Sequence, residues 1–362
     1  MNRPFMVGAL TVFLVLTVAG AIRVDAVENE SGKNISMDQA YNLAFASNSV
    51  VEVAVYDVQK ARVKLKWADD TADAIDLDKV NTYEKNKAKI LGPVQAESEL
   101  FVAGEKLKQI QAQFKIQVTQ AYYELLKVRK ALESAKANSD RADELLEIIK
   151  TKYTAGSVAK NELLEAEVQA GNTNSALVNA ENNEEIALME LNQILNLDLN
   201  TELILAEQLT YIAPIDINLE EAISKAMDKR VDILQARENI NVKRVEIQVA
   251  AGYYGPYEDA RYSLLQAESV LRDKSKSAEV SIKTAHLKIL SFKEQYRLAE
   301  TTLKQAKEAL LITQKRFEAG LAKSTEVTSA SADLSQAESK LADVLVQYNL
   351  AKLQFDFELG NY

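Results

Sequence analysis

Cysteine is absent from the 362 residues, and there is one histidine. No cysteine means no disulfide, no zinc-thiolate site, no thiol nucleophile and no residue to carry a lipid anchor. A single histidine excludes multi-histidine metal sites and argues against acid–base catalysis. Proline (4) and glycine (11) are scarce, which leaves room for long uninterrupted helices. The 43 basic residues are outnumbered by 53 acidic ones, giving a net charge of -10. Nucleic-acid phosphates demand the opposite balance. The length admits two or three globular domains.

What is present begins with an export signal over residues 1–26. Arg3 supplies a positive start and residues 5–22 form an apolar run. Val24 and Ala26 place small or branched residues where a signal peptidase cuts, so cleavage is expected after Ala26. The alternative is an uncleaved anchor, since roughly 18–20 apolar residues also span a bilayer. Either way the remainder is extracytoplasmic. Losing Arg3, Arg23 and Asp25 moves the charge from -10 to -11.

The chain then repeats itself. Residues 35–68 align without gaps on 217–250, with identities at Ile35/Ile217, Ala40/Ala222, Ala44/Ala226, Ala54/Ala236, Arg62/Arg244 and Ala68/Ala250. Further along, residues 152–156 align on 316–320, and Glu162/Glu326, Ala166/Ala330, Leu177/Leu341 and Leu195/Leu359 hold that register. The predicted organisation is a first repeat over 35–207, a linker over 208–216 and a second repeat over 217–362.

Each repeat reads as three helices, and the fold class is all-α, with long antiparallel coiled-coil helices. In the first, helices are predicted over 37–70 with Ser36 as N-cap, over 94–154, and over 158–196. The middle helix carries a near-heptad ladder that includes Leu107, Ile110, Phe114, Val118, Leu125, Leu132, Ala135, Ala142, Leu146 and Ile149. The step at Ile110–Phe114–Val118 is a local stutter. A second seam with Phe101, Tyr122, Leu126, Leu145 and Ile148 flanks it, so the helix has neighbours on both sides. At about 1.5 Å per residue it is roughly 90 Å long, a rod that no compact globule needs. The second middle helix repeats the ladder from Leu264 through Ala278, Ile282, Ala285, Ile289 and Phe292 to Leu310 and Phe317, interrupted at Lys274 and Thr313.

Three ordered motifs, present twice, resemble the TolC-like outer membrane efflux proteins. They are the opening helices at Ile35–Ala40 and Ile217–Ala222, hairpin tips at Tyr153–Gly156 with Glu162–Ala166 and at Phe317–Gly320 with Glu326–Ala330, and closing helices ending at Leu195 and Gly360. The resemblance implies a homotrimeric helical tunnel working with a periplasmic adaptor (membrane fusion) protein and an inner-membrane transporter. It also implies a β-barrel inserted after the first helix of each repeat, in the outer membrane. Here that insertion is nearly gone. Residues 251–256 are too few for a spanning strand of ~9–11 residues, and 69–93 carry Asp69, Asp70, Asp73, Asp76, Asp78 and Glu84. The expectation is a divergent member with little or no barrel, turning directly at Gly92-Pro93 and Gly255-Pro256. A calcium site at the acidic segment lacks the EF-hand glycine and spacing, so a solvated helix end is preferred.

The resemblance places adaptor docking at the tips, on Tyr153, Gly156, Glu162, Phe317, Gly320 and Glu326. The two glycines would supply helix C-cap geometry. Glu162 and Glu326 read either as a carboxylate ring at the tunnel mouth or as helix N-terminal charges favoured by the dipole. Glu165 faces Ser329 in the other repeat, so a second ring is incomplete. His286 stands where Tyr122 stands in the first repeat and reads as a helix packing residue, as does Trp67. Tyr253, Tyr254 and Tyr257 cluster at the second turn, for turn packing or an interfacial belt. No cofactor or catalytic residue is expected. Two readings stand: an export conduit of the cell envelope, in periplasm or outer membrane, or a barrel-less spacer or scaffold that transports nothing.

Overall fold

The computed structural model describes residues 33–78, 82–212 and 218–362. The export signal over 1–26, Pro214 and Ile217 lie outside them. The described chain is a bundle of long helices, and its strands are β1 (Lys33–Ile35) and β2 (Leu203–Leu205), paired in parallel with Ile35 opposite Leu205. The helices are α1 (Met37–Ser47), α2 (Ser49–Ala74), α3 (Tyr83–Asn86), α4 (Gly92–Thr154), α5 (Lys160–Leu195), α6 (Leu219–Ala226), α7 (Val231–Ala250), α8 (Tyr254–Glu318) and α9 (Ser324–Glu358).

Ser36 starts α1 through a reciprocal capping box: its hydroxyl accepts from Gln39 N–H, and the Gln39 side chain accepts from Ser36 N–H. The single first helix expected over 37–70 is broken at Asn48. Its Oδ1 accepts from Val50 and Val51 N–H at 2.9 and 3.0 Å and begins a second helix, an alternative to continuing the first. The break lets α1 turn into the middle of the rod. There Ile35, Ala40, Val51, Phe114, Val118, Tyr122, Leu125, Leu191 and Leu203 form the largest apolar core.

Neither expected turn at a Gly-Pro pair is made. Helix continues from Tyr83 through a wide π turn, Lys87–Leu91, into α4, with Gly92 N–H donating to the Lys87 carbonyl. A proline at position 93 clashes with an ordinary α-turn before it, and the wider turn relieves that clash. Lys89 in the same turn donates to the carbonyls of Ala72 and Ile75 at 3.0 and 2.7 Å, closing the end of α2. Pro256 sits in the first turn of α8, where a missing N–H costs nothing, so the chain reverses over 251–253 instead. The two reversals touch. The rings of Tyr83 and Tyr253 meet edge to face at 5.3 Å, and Asn86 Nδ2 donates to Tyr253 Oη at 3.4 Å. Tyr253 thus packs as expected of a turn residue, whereas Tyr254 is 87% exposed. Only residues 75–82 and 251–253 lie between these helices, each stretch shorter than the ~9–11 residues of a membrane-spanning strand.

The α8 ladder is buried or half-buried from Leu264 to Phe317 without exception. In α4 the second seam displaces part of the first: Tyr122 is fully enclosed and Leu145 buried, while Ala121 and Leu146 are half-buried. α4 is the spine. In the half that holds the hairpin tips the helices lie side by side as α5, α4, α9, α8, and in the other half as α2, α4, α7, α8. Each half therefore has two outer helices: α2 or α5 on one side, α8 on the other.

A half-buried polar contact ties the strands to the spine. The Tyr122 hydroxyl donates to the Glu207 carboxylate, which also accepts from Met37 N–H at 3.0 Å. Burial, then the adjacent carboxylate, push the tyrosine well above its usual range. Burial raises the Glu207 carboxyl, but the Tyr122 and backbone donors outweigh it and hold the group below its ordinary 4.5. A carboxyl depressed in the fold contributes stability above its unfolded value and loses it as pH falls through the folded value. We expect the urea midpoint to decline as pH drops below 4.5, and Glu207→Gln to flatten that decline. An unchanged pH profile in Glu207→Gln would exclude this group as its source.

Candidate functional site

Both hairpin tips end their first helix in the same way. At the end of α4, Gly156 N–H donates to Tyr153 O at 2.9 Å and Ser157 N–H to Lys152 O at 2.8 Å. At the end of α8, Gly320 N–H donates to Phe317 O at 3.0 Å and Leu321 N–H to Arg316 O at 2.7 Å. These are paired Schellman bonds, and their pivot residue must be left-handed. Gly156 and Gly320 have φ of 71° and 72° and face open space. Asn196 and Gly360 occupy the same position at the ends of α5 and α9.

The tips are not separate. Leu145 and Ile149 of α4, Ala166 of α5, Leu310 and Phe317 of α8, and Val327 and Leu334 of α9 share one apolar cluster. Equivalent aromatics are treated differently, for Phe317 is enclosed in that cluster while Tyr153 is 38% exposed. Lys152 Nζ stands 4.5 Å over the Phe317 ring and shields it from solvent. Glu162 and Glu326 both occupy the third position of their helices, near the positive end of the helix dipole. Glu326 is further engaged, accepting from Lys323 N–H at 3.0 Å and lying 3.5 Å from Arg316 Nη1 of the opposite helix. Glu165 and Ser329 line one cleft of about 260 Å³ with Gln169, Ser324, Thr325 and Thr328.

Above this cleft the α4–α9 contact is polar, which the sequence reading did not anticipate. Arg141 Nε donates to Ser331 Oγ at 2.9 Å, Arg141 Nη2 donates to Asn138 Oδ1, and Ser331 Oγ donates to Asn138 Oδ1 at 2.7 Å. Ser134 bonds Glu338 nearby. The signal was available as a skipped rung between Ala135 and Ala142, where the ladder has Asn138 and Ser139.

His286 is half-buried on α8 with its ring 5.9 Å from Phe355, a packing residue as expected. Trp67 is not. It is 77% exposed on α2, because the face of α2 that meets its neighbours carries Val51, Ala54, Ala61 and Ala72 instead. Among the described residues no group of three acidic or histidine side chains is placed to hold a metal, and no helix is long and apolar enough to cross a membrane.

Helices laid side by side with two capped hairpins at one end make a channel-type helical architecture. The comparisons agree. Residues 255–361, most of the second repeat, match the family model for outer membrane efflux proteins. The Campylobacter jejuni CmeC outer membrane channel is 14% identical, aligning over 90% of this chain and 85% of that one with a TM-score of 0.72. Vibrio cholerae VceC is 14% identical over 90% and 96%, with a TM-score of 0.71. The open-state Neisseria gonorrhoeae MtrE channel is 13% identical over 90% and 88%, with a TM-score of 0.70. No curated protein matches the chain. The fold is thus that of the TolC-like outer membrane efflux channels, with almost no strand.

Proposed function

We propose that this chain is an exported conduit of the cell envelope, closing with further copies into a helical tube and passing solutes without chemistry. The observation that carries the reading is the state of the outer helices. α2 exposes Val53, Tyr56, Val63 and Trp67, α5 exposes Leu164, Val168, Val178 and Ile186, and α8 exposes Val280, Leu287 and Leu298. Apolar stripes of this extent on soluble helices mark interfaces. They lie on the two opposite edges of the helix layer, so one copy's α8 edge meets the next copy's α2 and α5 edge. Such a head-to-tail contact makes a ring when its rotation closes.

By resemblance to the efflux channels the ring is a homotrimer. Its tips, with Tyr153, Gly156, Glu162, Phe317, Gly320 and Glu326, face a periplasmic adaptor serving an inner-membrane transporter. In this reading residues 1–26 are the signal, and 35–207 and 217–362 are the two repeats. A second reading, a barrel-less spacer without transport, draws support from the short connections at 75–82 and 251–253. Sedimentation equilibrium in detergent-free buffer separates the two. A trimer mass supports the conduit, and a monomer mass overturns it in favour of the spacer.

A further inference from the structure

The half of the rod away from the tips encloses a groove of about 1070 Å³ that touches α2, α4, α7 and α8 together. A groove shared by four helices laid side by side lies along one face of the layer. The solute class proposed below takes that face as the inner wall of the proposed ring. Its charge runs against the chain's. Although the net charge is -10, the groove is lined by Lys60, Lys64, Lys87, Lys106, Lys243 and Lys274 against four carboxylates, Asp57, Glu99, Asp232 and Glu246.

Three of those carboxylates are already committed. Glu99 pairs with Lys64 at 2.9 Å, Glu246 with Lys243 at 2.7 Å, and Asp232 with Arg230 at 3.0 Å. Among the described residues, no ion pair engages Lys60, Lys87, Lys106 or Lys274, and Asp57 is the one carboxylate in the groove left to offset them. Gln95, Ser98, Gln235 and Asn239 add neutral hydrogen-bonding groups between the ammonium groups. The lining itself is thus net positive, and the low-dielectric walls of a groove concentrate the field of the charges that line it.

We propose that this groove binds small multivalent anions, and that the solutes the conduit favours are polyanionic carboxylates, sulfonates or phosphates. The solute class rests on the conduit reading. The binding itself belongs to the single chain, since all four helices come from one copy.

The test uses the full chain and a trisulfonated pyrene fluorophore, followed by fluorescence anisotropy at low salt, where the Debye length exceeds about 10 Å. Lys60→Gln/Lys106→Gln/Lys274→Gln is compared with Lys66→Gln/Lys136→Gln/Lys307→Gln, which removes the same charge from exposed positions outside the groove. Glutamine keeps helix propensity close to that of lysine, so both variants are expected to fold. The groove variant should bind about tenfold more weakly, because each exposed charge contact contributes modestly. The outer variant should change less than about twofold, and raised salt should abolish binding to the unmodified chain. Equal loss in both variants would mean net charge alone governs binding and would overturn the proposal, as would no binding by the unmodified chain. The sedimentation mass is independent of this result. A monomer that shows the groove effect leaves the anion site standing and removes the conduit, and a trimer without the effect does the reverse.

Discussion

Trp67→Glu combined with Leu287→Glu is expected to leave a fully helical chain that sediments as a monomer at concentrations where the unmodified chain forms the proposed trimer. Trp67 and Leu287 are 77% and 63% exposed in the single chain, so changing them removes almost no internal packing. Exposed positions of this kind typically cost within about 0.5 kcal/mol of folding stability. In the proposed ring the same positions are enclosed. Val53, Tyr56, Val63 and Trp67 follow three- and four-residue steps along α2, on the side opposite Val51, Ala54, Ala61 and Ala72, which pack inward. That is the pattern of a helix with one neighbour inside its own chain and one beyond it. A carboxylate forced into such a seam pays a desolvation cost of several kcal/mol without a partner. Since each copy supplies both edges, the pair of changes places a charge on both sides of every junction. Unchanged circular dichroism with a shift to monomer mass is the expected result. A variant that still sediments as a trimer would show that the copies do not meet through these edges.

The sequence made the helices legible and left their edges obscure. The α8 ladder could be read directly because each apolar rung falls at helical spacing and burial follows it. Ser36 and Gln39 are a local capping pair, and local pairs are visible without a structure. The Gly-Pro pairs misled because proline stops a helix it follows but suits a helix it begins. Which applies at Pro93 depends on the π turn at Lys87–Leu91, whose anchor, Lys89 on the end of α2, is a tertiary contact. Trp67 misled for a related reason. Its size says that it packs somewhere, and nothing in the order of residues says whether the partner is this chain or another copy. The tip motifs sit where the alignment placed them. Their union in one cluster, with Lys152 over Phe317, could not be read from either repeat alone.

Three glycines in one local geometry should respond very differently to alanine. Gly156, Gly320 and Gly360 each pivot a helix end at φ near 70°, which costs a residue with a side chain roughly 1–2 kcal/mol. At Gly156 and Gly320 an added methyl meets nothing, so that cost is the whole effect. At Gly360 the methyl would lie 2.9 Å from Lys229 Cβ and 3.0 Å from the Arg230 nitrogen and the Lys229 carbonyl carbon. Two of those atoms are backbone and cannot swing aside. The end of α9 would have to lift from the turn between α6 and α7. Arg230 holds that joint, donating to the Glu358 carboxylate at 2.7 Å and the Glu358 carbonyl at 2.9 Å, and pairing with Asp232 at 3.0 Å. Burial works against its charge, but the two carboxylates outweigh burial and raise the guanidinium above its usual range. Lifting the helix end parts the Arg230–Glu358 contact while Arg230 keeps Asp232, and losing a charge-assisted hydrogen bond of this kind costs about 1.5–3 kcal/mol. Urea denaturation in the Trp67→Glu/Leu287→Glu background excludes association from the comparison. There, Gly360→Ala should lose at least twice the stability lost by Gly156→Ala or Gly320→Ala. Equal losses at the three sites would mean that the joint yields at no cost, and that Arg230 does not hold α9 in place.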